Sequence, residues 1–347
     1  MLLALVLAHE AGHFIAARRA GCRVEEFAFG FPPRLWSFKK GGTRYSFNLL
    51  PLGGYVKIEG EDMQEEKPGP HSFGSKGVFP RLFILVAGVT MNIALAAILL
   101  TIQAGIGVPT LVTDQNHEIV RNLKTFIVDV DEGSPAEAVG LKRYDRIVSI
   151  GSVIDPTINE VTSVVDQNLG HELEMEVERQ GRHITVQAAP RTIAPPQEGA
   201  LGIVLQMTGL EKTVWWKTPW VGVKRTGQAL WLIVSEFSSI IQKIVTQQTV
   251  SDVVAGPIGI AVYTNEMTNL GLSYILEFAA FISINLAIIN ILPIPALDGG
   301  RIMFVLLEVI LRRKIPTKIE QMSHTAGFIL LILLMLFVTF KDVGKFF

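Results

Sequence analysis

His9-Glu10-Ala11-Gly12-His13 stands near the start of the chain, inside an apolar run in which Met1 to Ala8 and Phe14 to Ala17 carry no charged side chain. Histidines at i and i+4 lie one turn apart on one helix face, so both imidazoles can reach one Zn²⁺ while Glu10 projects beside them as a general base. On a soluble, polar helix so short a match carries little weight. Within what reads as a membrane helix, two histidines and a carboxylate are costly and mark function. The reading is a metal site at membrane depth.

Composition agrees with that setting. The chain has 347 residues, 49% hydrophobic and 18% charged, with a mean hydropathy of +0.39, too apolar for an ordinary soluble protein of this size. A net charge of −1 leaves no basic domain or stripe of the kind nucleic-acid binding requires. Cys22 is the single cysteine, which excludes an intramolecular disulfide. The apolar amino terminus contains the histidines themselves and so does not read as a cleaved signal peptide. Eight residues precede His9, whereas a span takes about 20. Either the first helix, expected from Met1 to Ala20, starts partway into the bilayer, or the chain given begins inside a longer one.

Outward from this helix, residues 18–57 are basic (Arg18, Arg19, Arg23, Arg34, Lys39, Lys40, Arg44, Lys57), which the positive-inside rule assigns to the cytoplasm. The segment includes strand-like stretches around Gly30 to Pro33 and from Tyr45 to Ile58. Gly53-Gly54 marks a bend between strand-like halves, so the segment either dips toward the membrane and offers an edge or forms a surface hairpin. Residues 59–75 read as loop. Val78 to about Val108 is a second span, interrupted by Arg81, Asn92 and Gln103, with Asn92 facing other helices. From Thr113 to Met207 short alternating runs surround one helical stretch, Ile158 to Gln167, enough for one small soluble domain. Trp215, Trp216 and Trp220 then precede a helix from about Gly222 to Thr246 whose apolar residues recur at helical spacing. Its charges at Arg225, Glu236 and Lys243 suit an interfacial helix better than a span. Ser273 to Leu292 is a third span, Gly299 to Leu311 an apolar helix, and Ala326 to Phe340 a fourth span. The basic run Arg312-Arg313-Lys314 with Lys318 is again cytoplasmic.

A catalytic zinc usually takes three protein ligands. The best third candidate lies in Asn285-Leu286-Ala287-Ile288-Ile289-Asn290-Ile291-Leu292-Pro293-Ile294-Pro295-Ala296-Leu297-Asp298-Gly299-Gly300-Arg301. Two prolines break the span and the glycine pair permits close backbone approach, so Asp298 stands at a helix interruption in apolar surroundings. A helix N-cap is its other role, compatible with the first. With four spans and an interfacial helix, Asp298 and the histidines fall at one depth; were the Gly222 to Thr246 helix a span, they would fall on opposite sides.

The HExxH helix, Leu50-Pro51-Leu52-Gly53-Gly54-Tyr55-Val56 and the N-x-x-P-x-P-x-L-D-G-G run together resemble the site-2 protease family of intramembrane zinc metalloproteases, most nearly the bacterial regulator of sigma-E protease type. The resemblance implies one Zn²⁺ per chain held by His9, His13 and Asp298, a catalytic Glu10, and Asn285 and Asn290 at the active site. It implies that Gly53, Gly54, Tyr55 and Val56 belong to a membrane-associated substrate-binding β-element. The soluble segment becomes PDZ-like, with Ser134-Pro135-Ala136 and Gly140-Leu141 matching the usual start, although Arg143-Tyr144 stand where Pro-Gly is common. Its peptide-carboxylate loop falls at residues 199–203, including Leu201, Gly202 and Ile203. One such domain fits here, where enterobacterial relatives have two.

The fold class expected is thus an α-helical membrane protein with four transmembrane spans, a small membrane-associated β-element and one inserted α+β PDZ-like domain. Its parts are 1–112, 113–207, 208–271 and 272–347. Implied partners are transmembrane substrates such as anti-sigma factors or signal-peptide remnants, a peptide ligand of the PDZ-like domain, and the lipid bilayer. The implied location is the bacterial inner membrane, with the active site toward the cytoplasm and the PDZ-like domain outside. A transporter would commonly show internal repeats, and none is visible. A catalytically silent scaffold would have no need of the intact His9, Glu10, His13 and Asp298 set.

Overall fold

The computed structural model describes residues 1–61, 69–112, 120–179, 181–195, 198–246, 256–313 and 315–346. Lys314 and residues 113–119, which carry parts of the expected basic run and soluble segment, lie outside these. The chain forms two compact units, one made of residues 1–102, 219–264 and 275–347, the other of 103–218 and 265–274.

Helix α1 (Leu2–Arg19) buries Leu5, His9, Gly12, His13, Ala16 and Ala17, one face at i, i+4, i+7 and i+8 spacing. After it, β1 (Val24–Lys40) and β2 (Thr43–Ile58) form an antiparallel hairpin. Both strands bend: Phe27 to Phe29 pair with Tyr45 to Phe47 and also with Gly54 to Val56, while Trp36 to Lys40 pair with Thr43 to Phe47. The spatial order of segments is therefore 36–40, 43–47, 24–29, 54–58, with 54–58 at an edge. The bend in β1 falls at Gly30, whose φ of +78° and approach to Leu50 O, 2.5 Å from where a Cβ would stand, admit no side chain. Helix α2 (Val78–Ile106) packs Ile84 and Leu85 against Ala16 and Ala17 of α1 and Ile58 of β2.

The second unit holds β3 (Val108–Leu111), β4 (Val120–Val130), α3 (Pro135–Ala138), β5 (Arg146–Ile150), β6 (Val153–Ile154), α4 (Ile158–Gln167), β7 (Leu173–Arg179), β8 (Arg182–Ala188) and β9 (Ile203–Glu211). The sheet order is β3-β9-β4-β5-β7-β8, with β6 paired to β5. Met175 and Val177, at alternate positions of β7, and Ile147 and Ile150, on either side of a register shift in β5, meet Val161 and Leu201 in one core. Both helices start on their own caps: Ser134 Oγ accepts the Glu137 N–H, and Thr157 forms a capping box with Glu160. The sheet extends past the expected segment, because β9 continues to Glu211 and pairs there with β3. Four residues containing Pro109 at the end of an apolar helix carry no strand signal of their own.

Helices α5 (Thr218–Val245), α6 (Pro257–Leu270), α7 (Leu272–Ile291), α8 (Asp298–Leu311) and α9 (Thr317–Phe346) complete the chain. Ile233 of α5 packs with Ala96 and Leu100 of α2 and with Ala280 and Ile284 of α7, while Trp220 and Trp231 on α5 are exposed. The helix over Pro257–Leu270 is new relative to the sequence reading: its apolar residues are consecutive instead of periodic, and it starts with Pro at its first position. Its Gly259 N–H donates to Asp342 Oδ2 of α9 at 2.8 Å. Helix α9 starts at Thr317, well before Ala326, since its polar first turns leave no hydropathy signal. Among the described residues three helices are long and apolar enough to cross a membrane: α2, α7 and the Thr317–Gly344 part of α9.

Candidate metal centre

The buried face of α1 brings His9 and His13 against α2 at a point where neither backbone carries bulk. A Cβ on Gly12 would stand 2.4 Å from Ala87 O, and one on Gly88 would stand 2.3 Å from His13 Nε2 and 2.7 Å from His9 Cε1. Gly88 is thus the floor on which both imidazoles rest. Asp298 comes from the opposite end of the chain, at the start of α8. Its presentation depends on the loop after α7, where a Cβ on Gly299 would fall 2.1 Å from Leu292 O and one on Gly300 2.4 Å from Ile294 O. Nothing larger than glycine lets the chain fold back so tightly.

Three donor atoms converge there. His9 Nε2 and His13 Nε2 are 3.1 Å apart, and Asp298 Oδ2 lies 3.0 Å from the first and 3.2 Å from the second. Both histidines are buried. His13 Nδ1 lies 2.8 Å from the Ile84 carbonyl, an acceptor, so Nδ1 carries the proton and Nε2 presents its lone pair inward. With His9 in the same tautomer, three lone-pair atoms meet here, and such atoms repel one another unless a cation joins them. Tetrahedral donors at about 2.0–2.1 Å from zinc stand roughly 3.3 Å from each other, and the observed separations fit that ion. The side-chain amide of Asn92, fully buried on α2, lies 3.5 Å from His9 Nδ1, and Asn290 Nδ2 lies 3.4 Å from His9 Nε2. Asn285 is turned elsewhere: its Nδ2 donates to Phe281 O one turn back on α7.

A cavity of about 350 Å³ opens beside the cluster, lined by Glu10, His13, Asp298, Ala296 and the Tyr55 to Ile58 strand. Glu10 Oε2 accepts the Val56 N–H at 3.0 Å, which joins the carboxylate to the edge of β2. Gly53 lies under the Phe31 ring and Gly54 against Ala28 O and Leu7, so the glycine pair lets β2 run flush against β1 and α1. Arg301 of α8 pairs with Glu61 across the same cavity. Neither was singled out in the sequence, nor was Gly88; its position four residues before Asn92 on an apolar helix was the available signal.

In the second unit, Leu201 is in the core, and its carbonyl accepts the Ala136 N–H. Gly202 donates to Gly199 O and accepts from the Asp131 N–H, and its φ is +69°. Ile203 opens β9 opposite Val130. These residues form an internal joint of the sheet.

The profile of peptidase family M50 matches residues 1–334. The chain belongs to peptidase family M50. This family M50 chain is 31% identical to a protein named zinc metalloprotease RasP from Geobacillus kaustophilus, over 99% of this chain and 96% of that one. It is 30% identical to the regulator of sigma-W protease RasP of Bacillus subtilis, over 99% and 96%, and 32% identical to a putative zinc metalloprotease of Clostridium perfringens, over 98% and 95%. As a family M50 member it is a zinc metallopeptidase embedded in a membrane.

Proposed function

We propose that this peptidase hydrolyses peptide bonds within or beside the transmembrane segments of membrane proteins, and that His9, His13 and Asp298 are its zinc ligands with Glu10 as general base. The observation that carries the reading is the meeting of three elements in one cavity: the convergent donors, the Glu10 carboxylate, and the 54–58 strand edge. Bound zinc supplies Lewis acidity, polarising a carbonyl and acidifying water.

The chain's own residues supply the rest. A transmembrane substrate helix pairs every N–H and C=O within itself, so a bond becomes accessible only where the helix unwinds. The edge of β2 offers replacement partners by strand addition; with Val56 N–H directed outward, alternation directs the groups of Gly54 and Ile58 outward as well. A strand laid there passes over Glu10. The carboxylate, aligned by Val56 N–H, takes the attacking water's proton and returns it to the leaving nitrogen. The Asn290 amide, beside His9, stabilises charge developing on the scissile oxygen.

In this reading α1 is the fourth membrane helix, about 27 Å long at 1.5 Å per residue. The basic segment 18–57 supports an active site on the cytoplasmic side of a bacterial inner membrane. The insert between α2 and α5 is PDZ-like and extracytoplasmic, screening substrates. The sigma-W relative supports anti-sigma factors as a substrate class.

The test is Glu10→Gln, which removes the base and leaves both imidazoles. Zinc content is expected to match the parent while cleavage of a reconstituted transmembrane substrate falls by about 10²- to 10⁴-fold. Turnover within tenfold of the parent would remove Glu10 from the mechanism.

A further inference from the structure

The loop from Leu292 to Leu297 carries Asp298 into the cluster, and its conformation is not one its own sequence holds. Ala296 has φ of +80°, the left-handed region that a residue with a Cβ rarely adopts. Pro293 and Pro295 contribute no N–H. The Ile294 N–H bonds back to Leu292 O and the Leu297 N–H to Ile294 O, both inside the loop. The Leu292 N–H bonds back to Ile289 O at the end of α7, whereas that of Ala296 crosses to another helix: it donates to His324 Nδ1 of α9 at 2.8 Å.

Around that bond α9 is shaped to meet the loop. Gly327, one turn beyond His324, touches Pro295 so closely that a Cβ would stand 2.3 Å from Pro295 O. The Phe304 ring of α8 lies 5.6 Å from the imidazole, tilted to it by 45°. Because Nδ1 accepts, the proton resides on Nε2, which is buried. An ionisable ring in a helix that crosses a membrane calls for a reason, and here the ring provides an acceptor at one backbone amide two residues before a metal donor.

We propose that His324 is a positioning residue of the metal centre: by accepting the Ala296 N–H it holds the 292–297 loop in the strained form that aims Asp298 at His9 and His13. This rests on the reading of Asp298 as a zinc ligand. His324 touches neither the donors nor the cavity's reacting groups, so its effect is on how tightly the metal is held.

The experiment compares four variants of the full chain in detergent with the parent, following zinc transfer to a chromogenic chelator and, in parallel, thermal unfolding. His324→Leu keeps bulk and removes the acceptor; zinc release is expected to quicken by about 10- to 100-fold, the usual effect of losing a group that orients a ligand. His324→Asn returns an acceptor oxygen near the place of Nδ1 and is expected to restore slow release. Gly327→Ala pushes on Pro295 without touching His324 and should quicken release too, which keeps the test alive if the leucine variant fails to fold. Asp298→Asn is the control and is expected to lose zinc outright. If it retains zinc like the parent, the ligand assignment fails and this proposal with it. If Asp298→Asn loses zinc while the folded His324→Leu and Gly327→Ala hold it at the parental rate, the ligand stands and positioning by α9 is overturned. Equal release from His324→Leu and His324→Asn, both folded, would also overturn it, since the acceptor would then be irrelevant.

Discussion

At the scale of single residues the site is governed by what is missing as much as by what is present. Gly88 is the sharpest case. Alanine there gains helix propensity of about 1 kcal/mol, yet its Cβ would fall 2.3 Å from His13 Nε2, and the imidazole has to move. The ring cannot turn freely, because its Nδ1 is fixed on Ile84 O. Gly88→Ala is therefore expected to fold and insert as well as the parent while zinc affinity, read by chelator competition, drops by about tenfold or more. Unchanged affinity would mean that the rings do not rest on α2 as described. The histidines and Glu10 were legible because their spacing on one helix is local and their apolar setting makes chance improbable. Asp298 was legible through the prolines and glycines around it. Gly88, the Ile84 carbonyl and His324 were not, since a glycine, a main-chain oxygen and a distant histidine acquire meaning only when three helices meet.

At the scale of elements, periodicity revealed the pieces that obey it. Helix α4 falls where helical spacing places it, at Ile158–Gln167. The β1–β2 hairpin does not follow from periodicity, because both strands bend and one segment pairs on both sides. What makes 54–58 an edge is that double pairing, and a pattern read along one strand cannot see it. Tertiary polar contacts are equally hidden. Asp145 is fully buried and receives Arg179 Nε at 2.7 Å, Arg179 Nη2 at 2.6 Å and the Lys142 N–H at 2.8 Å. The carboxylate in turn raises the Arg179 pKa. Arg179→Met leaves a buried carboxylate with one partner and should destabilise the second unit by roughly 3 kcal/mol, the low end for a broken buried pair because Arg179 is partly exposed. Amide exchange across β5 and β7 measures it. Protection equal to the parent's would show that Asp145 finds compensation elsewhere.

At the scale of the whole chain, the membrane part and the insert are separable in a way the strand pairing makes concrete. Strands β3 and β9 run antiparallel with Val108 opposite Glu211, so the two ends of the inserted segment lie side by side at ladder spacing, about 5 Å. Closing that gap takes a few residues, and the entropy of so short a loop is small. The metal donors and Glu10 belong to the other unit. Replacing residues 108–211 by a short Gly/Ser linker is therefore expected to leave zinc stoichiometry unchanged. If the insert screens substrates and takes no part in hydrolysis, the shortened chain should cleave a reconstituted transmembrane substrate at least as fast as the parent. It should also accept substrates with bulky extracytoplasmic domains that the parent refuses. Cleavage of matched substrates with and without such a domain, by both proteins, separates the possibilities. A shortened chain that is folded and zinc-loaded yet inert would assign the insert a part in assembling the active site, and screening would then be the wrong account of it.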